Sequence, residues 1–558
     1  MTEYLTMEDV RTRSSELLPA WNKNQIYELR SAIKAFATAA RQPAASIHAD
    51  PQVLRILVAK ASPQLAGISK PRWANIRSLI DRALADIGVL TIRARQRCAL
   101  SPVWQDQMDR AETLDTKAHL SRFARWCSRD GIDAADVDDA TFSTFEGELT
   151  EFSLAKNPGF TAADARRAWN AAVVQIEGWV GTAVPTRCRR KIVTVPWDAL
   201  PASFAADVDD YAARRIKPGK FDDVMVRALR PTTVKGHIDN LRRAAGFLIR
   251  GGLPADSVTS IKALLTTDNV KKLLDMVWGD ADIASPSACQ YSHDFVSIAR
   301  FLEFDDAHLG TLIKFSRRCR RPQIGMTREN RERLSIFDDE QALLAMYTLP
   351  ARIADALRKL NDIDYGHAVD MRLAVCVEIL LMAPIRRFNL ANLDLAKHIV
   401  WPTSQDGDIR ITIPTPEVKN SVDLHHLLPP ESAALVRLYV DRFRPLLMKT
   451  PTDALFPGEV DGFMTPGSLG RLVRVGLKRH LGVDFNAHLF RHFACMNHLR
   501  EHPGDYETLR RLCGHKRLET TVNFYAGTET DAAIQRFHDS TVLRIRGRDD
   551  GFFGQDLV

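Results

Sequence analysis

The chain has 558 residues, too many for one hydrophobic core, so three or four domains are expected. Apolar residues make up 45% and charged residues 26%, which excludes wholesale disorder. The net charge of +7 and pI near 8.9 suit a nucleic-acid partner, and equally a basic surface kept for solubility.

Residues 1–100 read as an N-terminal helical region. Leu29, Ile33 and Phe36 recur at helical spacing, as do Trp73, Ile76, Ile80 and Leu84, and Trp73 is expected in a core. Residues 101–190 form a second helical unit, with Leu120, Phe123 and Trp126 on one face, then Gly131-Ile132 and Val137. A related pattern follows in Leu241, Ala244 and Phe247, then Gly252-Leu253 and Val258. Both copies close on a basic cluster, Arg187-Cys188-Arg189-Arg190 and Arg317-Arg318-Cys319-Arg320-Arg321, so the pattern reads as an internal duplication. Residues 196–325 are again helical. The segment 314–333 holds Pro322, Gly325 and a run of arginines, and reads as a basic interdomain linker able to neutralise DNA phosphates.

From 335 to 545 the pattern changes. Helices are expected over 338–349 and 353–361, then an apolar helix over 370–384 that runs into Arg386 and Arg387. Short strands are expected over 399–401, 409–413 and 422–427, with turns at Asp406-Gly407 and near Asn420. Helices resume near Glu431, Ser468, His488, Tyr506 and Ala532, and 546–558 reads as a flexible tail. The eight cysteines include no C-x-x-C pair, so neither a zinc framework nor a disulfide scaffold is expected and a reducing compartment fits. Residues 1–15 lack the apolar core of a signal peptide. The longest apolar run, 373–385, contains Glu378 and falls short of the ~20 residues that span a bilayer. A soluble, cytoplasmic, nucleoid-associated protein without a membrane partner is expected.

Six residues stand out chemically. Arg386 follows a buried helix, where a guanidinium usually snorkels to solvent but can instead offer a rigid fork to a phosphate. Lys419 lies on a hairpin turn; such a lysine is usually solvated, yet it can reach a cleft and supply a proton. His488 and Arg491 are three apart and share a helix face. His515 follows Gly514. Tyr525 carries a phenol of ordinary pKa near 10, which attacks only if the phosphate charge is neutralised and its proton removed. Each residue alone fits packing or a solvated surface; the ordered set outweighs those readings.

The set Arg386, Lys419, His488-x-x-Arg491, Gly514-His515 and Tyr525 resembles the tyrosine recombinase, or phage integrase, family across 335–545. Arg386 rather than Arg387 fits the register, because Leu390 and Leu393 then fall where the family's leucines fall. Lys397 precedes the first strand, whereas Lys419 lies on the hairpin. Two positions depart from the family pattern: Pro384 stands for a usual Gly, and Asn389 for a usual Glu or Asp.

The resemblance implies a mainly α multidomain fold, with helical core-binding (SAM-like) domains ahead of a mixed α+β catalytic domain containing a small antiparallel sheet. Residues 196–325 would be the core-binding domain, and 101–190 an extra DNA-binding or interaction module. Tyr525 would form a 3′-phosphotyrosyl link and free a 5′-hydroxyl. Arg386 and Arg491 would stabilise the transition state, and Lys419 would protonate the leaving oxygen. His488 would assist proton transfer, and His515 would hydrogen-bond the phosphate. No cofactor is implied. The implied partner is double-stranded DNA, gripped partly by Arg189, Arg190, Arg317, Arg318, Arg320 and Arg321, with the chain acting as a dimer or tetramer, alone or with partner recombinases. Integration, transposition and other strand exchange all fit. Three alternatives stay open: a type IB topoisomerase, a non-cleaving architectural protein derived from a recombinase, and a helical scaffold without a nucleic-acid role.

Overall fold

Proline and short polar side chains punctuate the chain, and in the computed structural model they start most of its helices. The structure describes residues 5–91, 99–111, 113–185, 194–218, 228–321, 325–404, 407–420, 422–458, 462–525, 534 and 537–546. Asp50, Ser69, Ser285 and Thr465 each cap a helix whose first turn holds a proline, which needs no amide partner there. Contacts divide the chain into two compact units, residues 1–186 with 325–558, and residues 187–324.

Four apolar clusters organise these units. The first joins Met7, Leu29, Ile33, Phe36, Ile76 and Leu84. Trp73 lies at its edge, half-buried, stacked on Phe36 with ring centroids 5.9 Å apart. The second centres on Phe123, which stacks on Phe142 at 4.2 Å and meets Trp104 and Trp169 edge-on. The third fills 187–324 around Phe204, Tyr211, Leu241 and Phe295. The fourth and largest runs from Met326 to Tyr525.

The suspected duplication has a backbone counterpart. In the helix Leu114–Asp130 the chain turns back through Ile132 N–H to Cys127 C=O, followed by Asp136 N–H to Asp133 C=O. After the helix Pro231–Arg250 the equivalent bonds are Leu253 to Leu248 and Ser257 to Pro254, at the same offset. Gly131 at φ 69° and Gly252 at φ 94° supply the left-handed turn that each helix end requires.

Two readings of the sequence are corrected. Residues 340–358 form one helix, Glu340–Arg358, not two, with Pro350 inside it. The lost hydrogen bond costs about 3 kcal/mol in an exposed helix. Here Met346, Leu349, Ile353, Ala354 and Leu357 continue one buried stripe across the proline, and that burial offsets the loss. The basic segment 314–333 is also more helical than a linker. Lys314, Arg317 and Arg318 belong to the helix Asp306–Arg318, where positive charge complements the C-terminal dipole. Arg328–Leu334 is a further helix, laced by Arg328–Glu332 and Arg333–Glu329 pairs.

The helix Tyr365–Met382 is the axis of the largest cluster. Every side chain from Met371 to Leu380 is buried, because helices and sheet surround it. Beside it lies the three-stranded antiparallel sheet, in order β1 (Ile399–Val400), β2 (Ile409–Ile413) and β3 (Leu424–Leu428). Ile409, Ile411 and Ile413 face the core, and Arg410 faces out. The third strand starts at Leu424, two residues later than expected, and Asp423 just before it accepts from the Thr415 N–H. Among the described residues, no helix is long and apolar enough to cross a membrane.

The N-terminal cluster and the C-terminal one belong to the same unit and touch. Ser62 donates to the Gly482 carbonyl at 3.3 Å, and Lys478 donates to Ala59 and Gly482 carbonyls at 3.3 and 2.7 Å. Arg41 donates to the Ile336 carbonyl at 2.8 Å and pairs with Asp339 at 3.2 Å.

Candidate active site

Arg386 ends the extended turn after the central helix and caps the short helix Arg387–Ala391. Its Nη1 is buried and has no hydrogen-bond partner among the described residues. Burial, then the neighbouring Arg491 guanidinium, push its pKa down to about 10. Arg387 points outward, where its side chain lies over Gly470.

Arg491 sits in the first turn of the helix Leu489–Glu501 and is buried. Backbone carbonyls aim its fork: Nη1 donates to Pro384 at 2.6 Å and Nη2 to Cys513 at 2.6 Å. The Pro384 contact uses the carbonyl oxygen, which any residue at that position would supply. Arg491 thereby joins the segment before Arg386 to the segment before His515.

His515 completes this set. Its Nε2 lies 3.2 Å from Arg491 Nη2, and since a guanidinium only donates, Nε2 accepts. Nδ1 therefore carries the hydrogen and donates to Thr521 Oγ1 at 2.9 Å. Burial and the Arg491 and Arg386 charges push the ring's pKa down to about 4, consistent with that neutral tautomer. Gly514 precedes it at φ 58°, a left-handed conformation that favours glycine, and an added Cβ would have to push Leu424 Cδ2 aside from 2.4 Å.

Tyr525 and Thr521 lie one turn apart on the helix Leu518–Tyr525, so the His515 contact registers the tyrosine as well. Tyr525 is 2% exposed. Its ring packs edge-on against His492, centroids 5.5 Å apart, and His492 packs edge-on against His488 at 5.4 Å. Burial, with the Cys495 and Cys513 thiols behind it, raises the phenol pKa well above its ordinary value. His488 is at the rim and exposed, and partial burial of its ring followed by Arg491, Arg386 and Arg387 lowers its pKa.

Lys419 is exposed and makes no hydrogen bond or ion pair with another described residue. Its turn, however, is tied down on both sides. Asn389 Nδ2 donates to the Glu417 carbonyl at 3.2 Å, and Asn420 Nδ2 donates to the Gly514 carbonyl at 2.9 Å. Glu417 Oε2 also lies 3.1 Å from His398 Nε2. The lysine is thus carried between the Arg386 helix and the Gly514-His515 turn.

The structure brings Arg386, Arg491, His515 and Tyr525 together, sets His488 at their rim, and holds Lys419 on an adjoining turn. Arg317, Arg318, Arg320 and Arg321 are all exposed, in the other unit. Arg189 and Arg190 lie outside the described residues. Reading the sequence missed His492, Cys495, Asn420 and Thr521. Spacing signals three of them: His492 is four after His488, Cys495 four after Arg491, and Thr521 four before Tyr525.

Residues 353–531 match the family described as "Phage integrase family". No curated protein matches the chain. Among solved structures, XerA recombinase is similar at 15% identity, over 60% of this chain and 99% of that one, with a TM-score of 0.26. XerH site-specific recombinase bound to difH substrate, a pre-cleavage complex, is similar at 14% identity over 55% and 79%, TM-score 0.34. The Tn1549 transposon integrase, in complex with circular intermediate DNA, is similar at 15% identity over 60% and 99%, TM-score 0.33.

Proposed function

We propose that this chain, whose residues 353–531 are a phage integrase family domain, is a site-specific recombinase that cuts and rejoins double-stranded DNA through Tyr525. The observation that carries the reading is the unpartnered, buried Nη1 of Arg386 next to the aimed fork of Arg491. Two adjacent guanidiniums, one of them with a buried donor left unused, form a site complementary to an anion such as a phosphodiester.

In this mechanism Tyr525 Oη attacks the phosphorus, and the bond to the 5′-oxygen breaks. A 3′-phosphotyrosyl link and a free 5′-hydroxyl result. Arg386 and Arg491 neutralise the charge on the non-bridging oxygens of the five-coordinate transition state. His515 is preset as a neutral ring with Nδ1–H on Thr521, and its Nε2, accepting from Arg491 Nη2, holds that guanidinium in place for the phosphate. His488 takes part in removing the tyrosine proton, and Lys419 delivers one to the leaving oxygen. A 5′-hydroxyl from a partner strand then attacks the link and regenerates Tyr525. Exchange of two strands requires a multimer on DNA. Arg317, Arg318, Arg320 and Arg321, with Arg189 and Arg190, supply phosphate contacts outside the catalytic domain.

The test is incubation with a nicked suicide duplex carrying the ends of the chain's own element. A covalent protein–DNA adduct forms, and Tyr525→Phe abolishes it. An adduct that survives this substitution sinks the assignment. Plasmid relaxation without paired sites would instead indicate a topoisomerase.

A further inference from the structure

Behind the nucleophile lie two thiols that this mechanism does not use. Cys495 stands one turn after Arg491 on the helix Leu489–Glu501, and Cys513 caps the helix Tyr506–Leu512. Their Sγ atoms are 3.5 Å apart, and both residues are fully buried. Among the described cysteines, no other pair has its sulfurs in hydrogen-bonding contact. The pair borders Tyr525 on one side, and the Cys513 carbonyl holds Arg491 Nη2 at 2.6 Å on the other.

We propose that Cys495 and Cys513 form a peroxide-sensitive modification site, closing to a disulfide that disables the catalytic centre. A disulfide bond is about 2.05 Å long, so the sulfurs approach by about 1.5 Å from their present 3.5 Å. That approach pulls on the Cys513 backbone, and with it the carbonyl that aims Arg491. It also displaces Gly514-His515 and the wall against which Tyr525 packs. The loss of cleavage rests on reading Tyr525 as the nucleophile; the disulfide itself does not.

The chemistry has defined roles. The two thiols share one hydrogen bond in which either can donate; with Cys495 donating, and Arg491 and Arg386 stabilising a thiolate on its partner, the Cys513 pKa is pushed down to about 7. Cys495, sharing that hydrogen bond and buried, is pushed up. Cys513 thiolate attacks one oxygen of hydrogen peroxide; the O–O bond breaks, hydroxide leaves and takes up a proton, and Cys513 becomes a sulfenic acid. Cys495 sulfur then attacks Cys513 sulfur, the S–O bond breaks and a second water leaves as Cys495 gives up its proton. Two thiols and one peroxide give one disulfide and two waters. A dithiol reductant reverses the reaction. Because both sulfurs are buried, oxidation proceeds through local opening and is slow compared with an exposed thiol.

The test treats the full-length chain with hydrogen peroxide, blocks remaining thiols by alkylation, digests without reduction and maps the peptides by mass. A cross-linked peptide pair joining 495 and 513 is expected. In parallel, adduct yield on the nicked duplex falls at least 10-fold and recovers with dithiothreitol. Cys495→Ala and Cys513→Ala each keep at least half of their own untreated yield after the same exposure. Absence of the 495–513 cross-link overturns the proposal, as does a full cross-link with unchanged adduct yield. If the untreated wild type forms no adduct, the Tyr525 reading fails, and the cross-link alone then decides the modification site.

Discussion

Asn389 stands where the resembled family usually has an acid, and its contact suits an amide. It donates to a backbone carbonyl, that of Glu417. A carboxylate at neutral pH has no hydrogen to give and would face that oxygen with like partial charge. Asn389→Asp is therefore expected to release the Lys419 turn, slow adduct formation 3- to 10-fold and cost about 1–2 kcal/mol in denaturant unfolding, with DNA affinity unchanged. Unchanged cleavage would show that the tether is idle. The histidines give a second prediction. His426, His492 and His515 are each pushed down to about 4, chiefly by burial, against about 6.5 in an unfolded chain. As pH falls the unfolded chain protonates first, so their stabilising contribution is complete above pH 6.5 and is lost between 6.5 and 4. Each contributes at most on the order of 3 kcal/mol. His426→Asn, in β3 outside the catalytic set, should flatten the fall in Tm over that window; an equally steep profile would contradict the cause given. At this scale Arg386, Arg491, His515 and Tyr525 stood out in the sequence as an ordered set, and the structure places these side chains near one another. For Cys495 the sequence offered only the spacing of four from Arg491, because a buried thiol and a structural alanine leave the same apolar trace.

Elements were legible wherever caps and periodicity agreed. The helix Pro286–Phe301 begins and ends where its Ser285 cap and apolar stripe place it. The local pattern divides the helix Glu340–Arg358 between 349 and 353, whereas the burial that carries it past Pro350 is tertiary. The turn at Gly514 couples two elements, and Gly514→Ala tests it. A side chain there meets Leu424 of β3 and a φ of 58°, so a loss of about 1–3 kcal/mol and a displaced His515 are expected, read by unfolding and by adduct yield. The two helical modules that share a helix-end pattern differ in charge. Residues 99–185 carry 14 acidic and 8 basic side chains, a poor match for a phosphate backbone. Replacing Arg317, Arg318, Arg320 and Arg321 with alanine should lower the slope of log affinity against log salt by up to about 0.9 for each phosphate left without its cation. Replacing Lys117 and Arg125 should leave that slope unchanged. The opposite pattern would assign DNA binding to the earlier module.

On the scale of the whole molecule, nothing local announces that residues 5–91 pack on the C-terminal part of the same unit. The contacts run from Ser62 and Ala59 to Lys478 and Gly482, several hundred residues away in sequence, and most of them use backbone carbonyls. Gly482 accepts this approach at φ 75°, where an added Cβ would lie 3.1 Å from Ser62 Cα. The two regions are expected to melt together. A chain lacking residues 1–91 should unfold several degrees lower than the intact one by calorimetry, and two separate transitions in the intact chain would count against a shared unit.

The acceptors that shape the candidate site are the oxygens of Pro384, Glu417, Cys513 and Gly514. A main-chain oxygen is present whatever side chain is attached to it. Drift at 384, 417 and 513 can therefore erase the recognisable lettering around the centre while its scaffolding persists, provided the backbone keeps its path. Related chains that have lost the usual residues at these positions need not have lost the reaction, and a search for them is better anchored on the two arginines and the tyrosine than on the letters between.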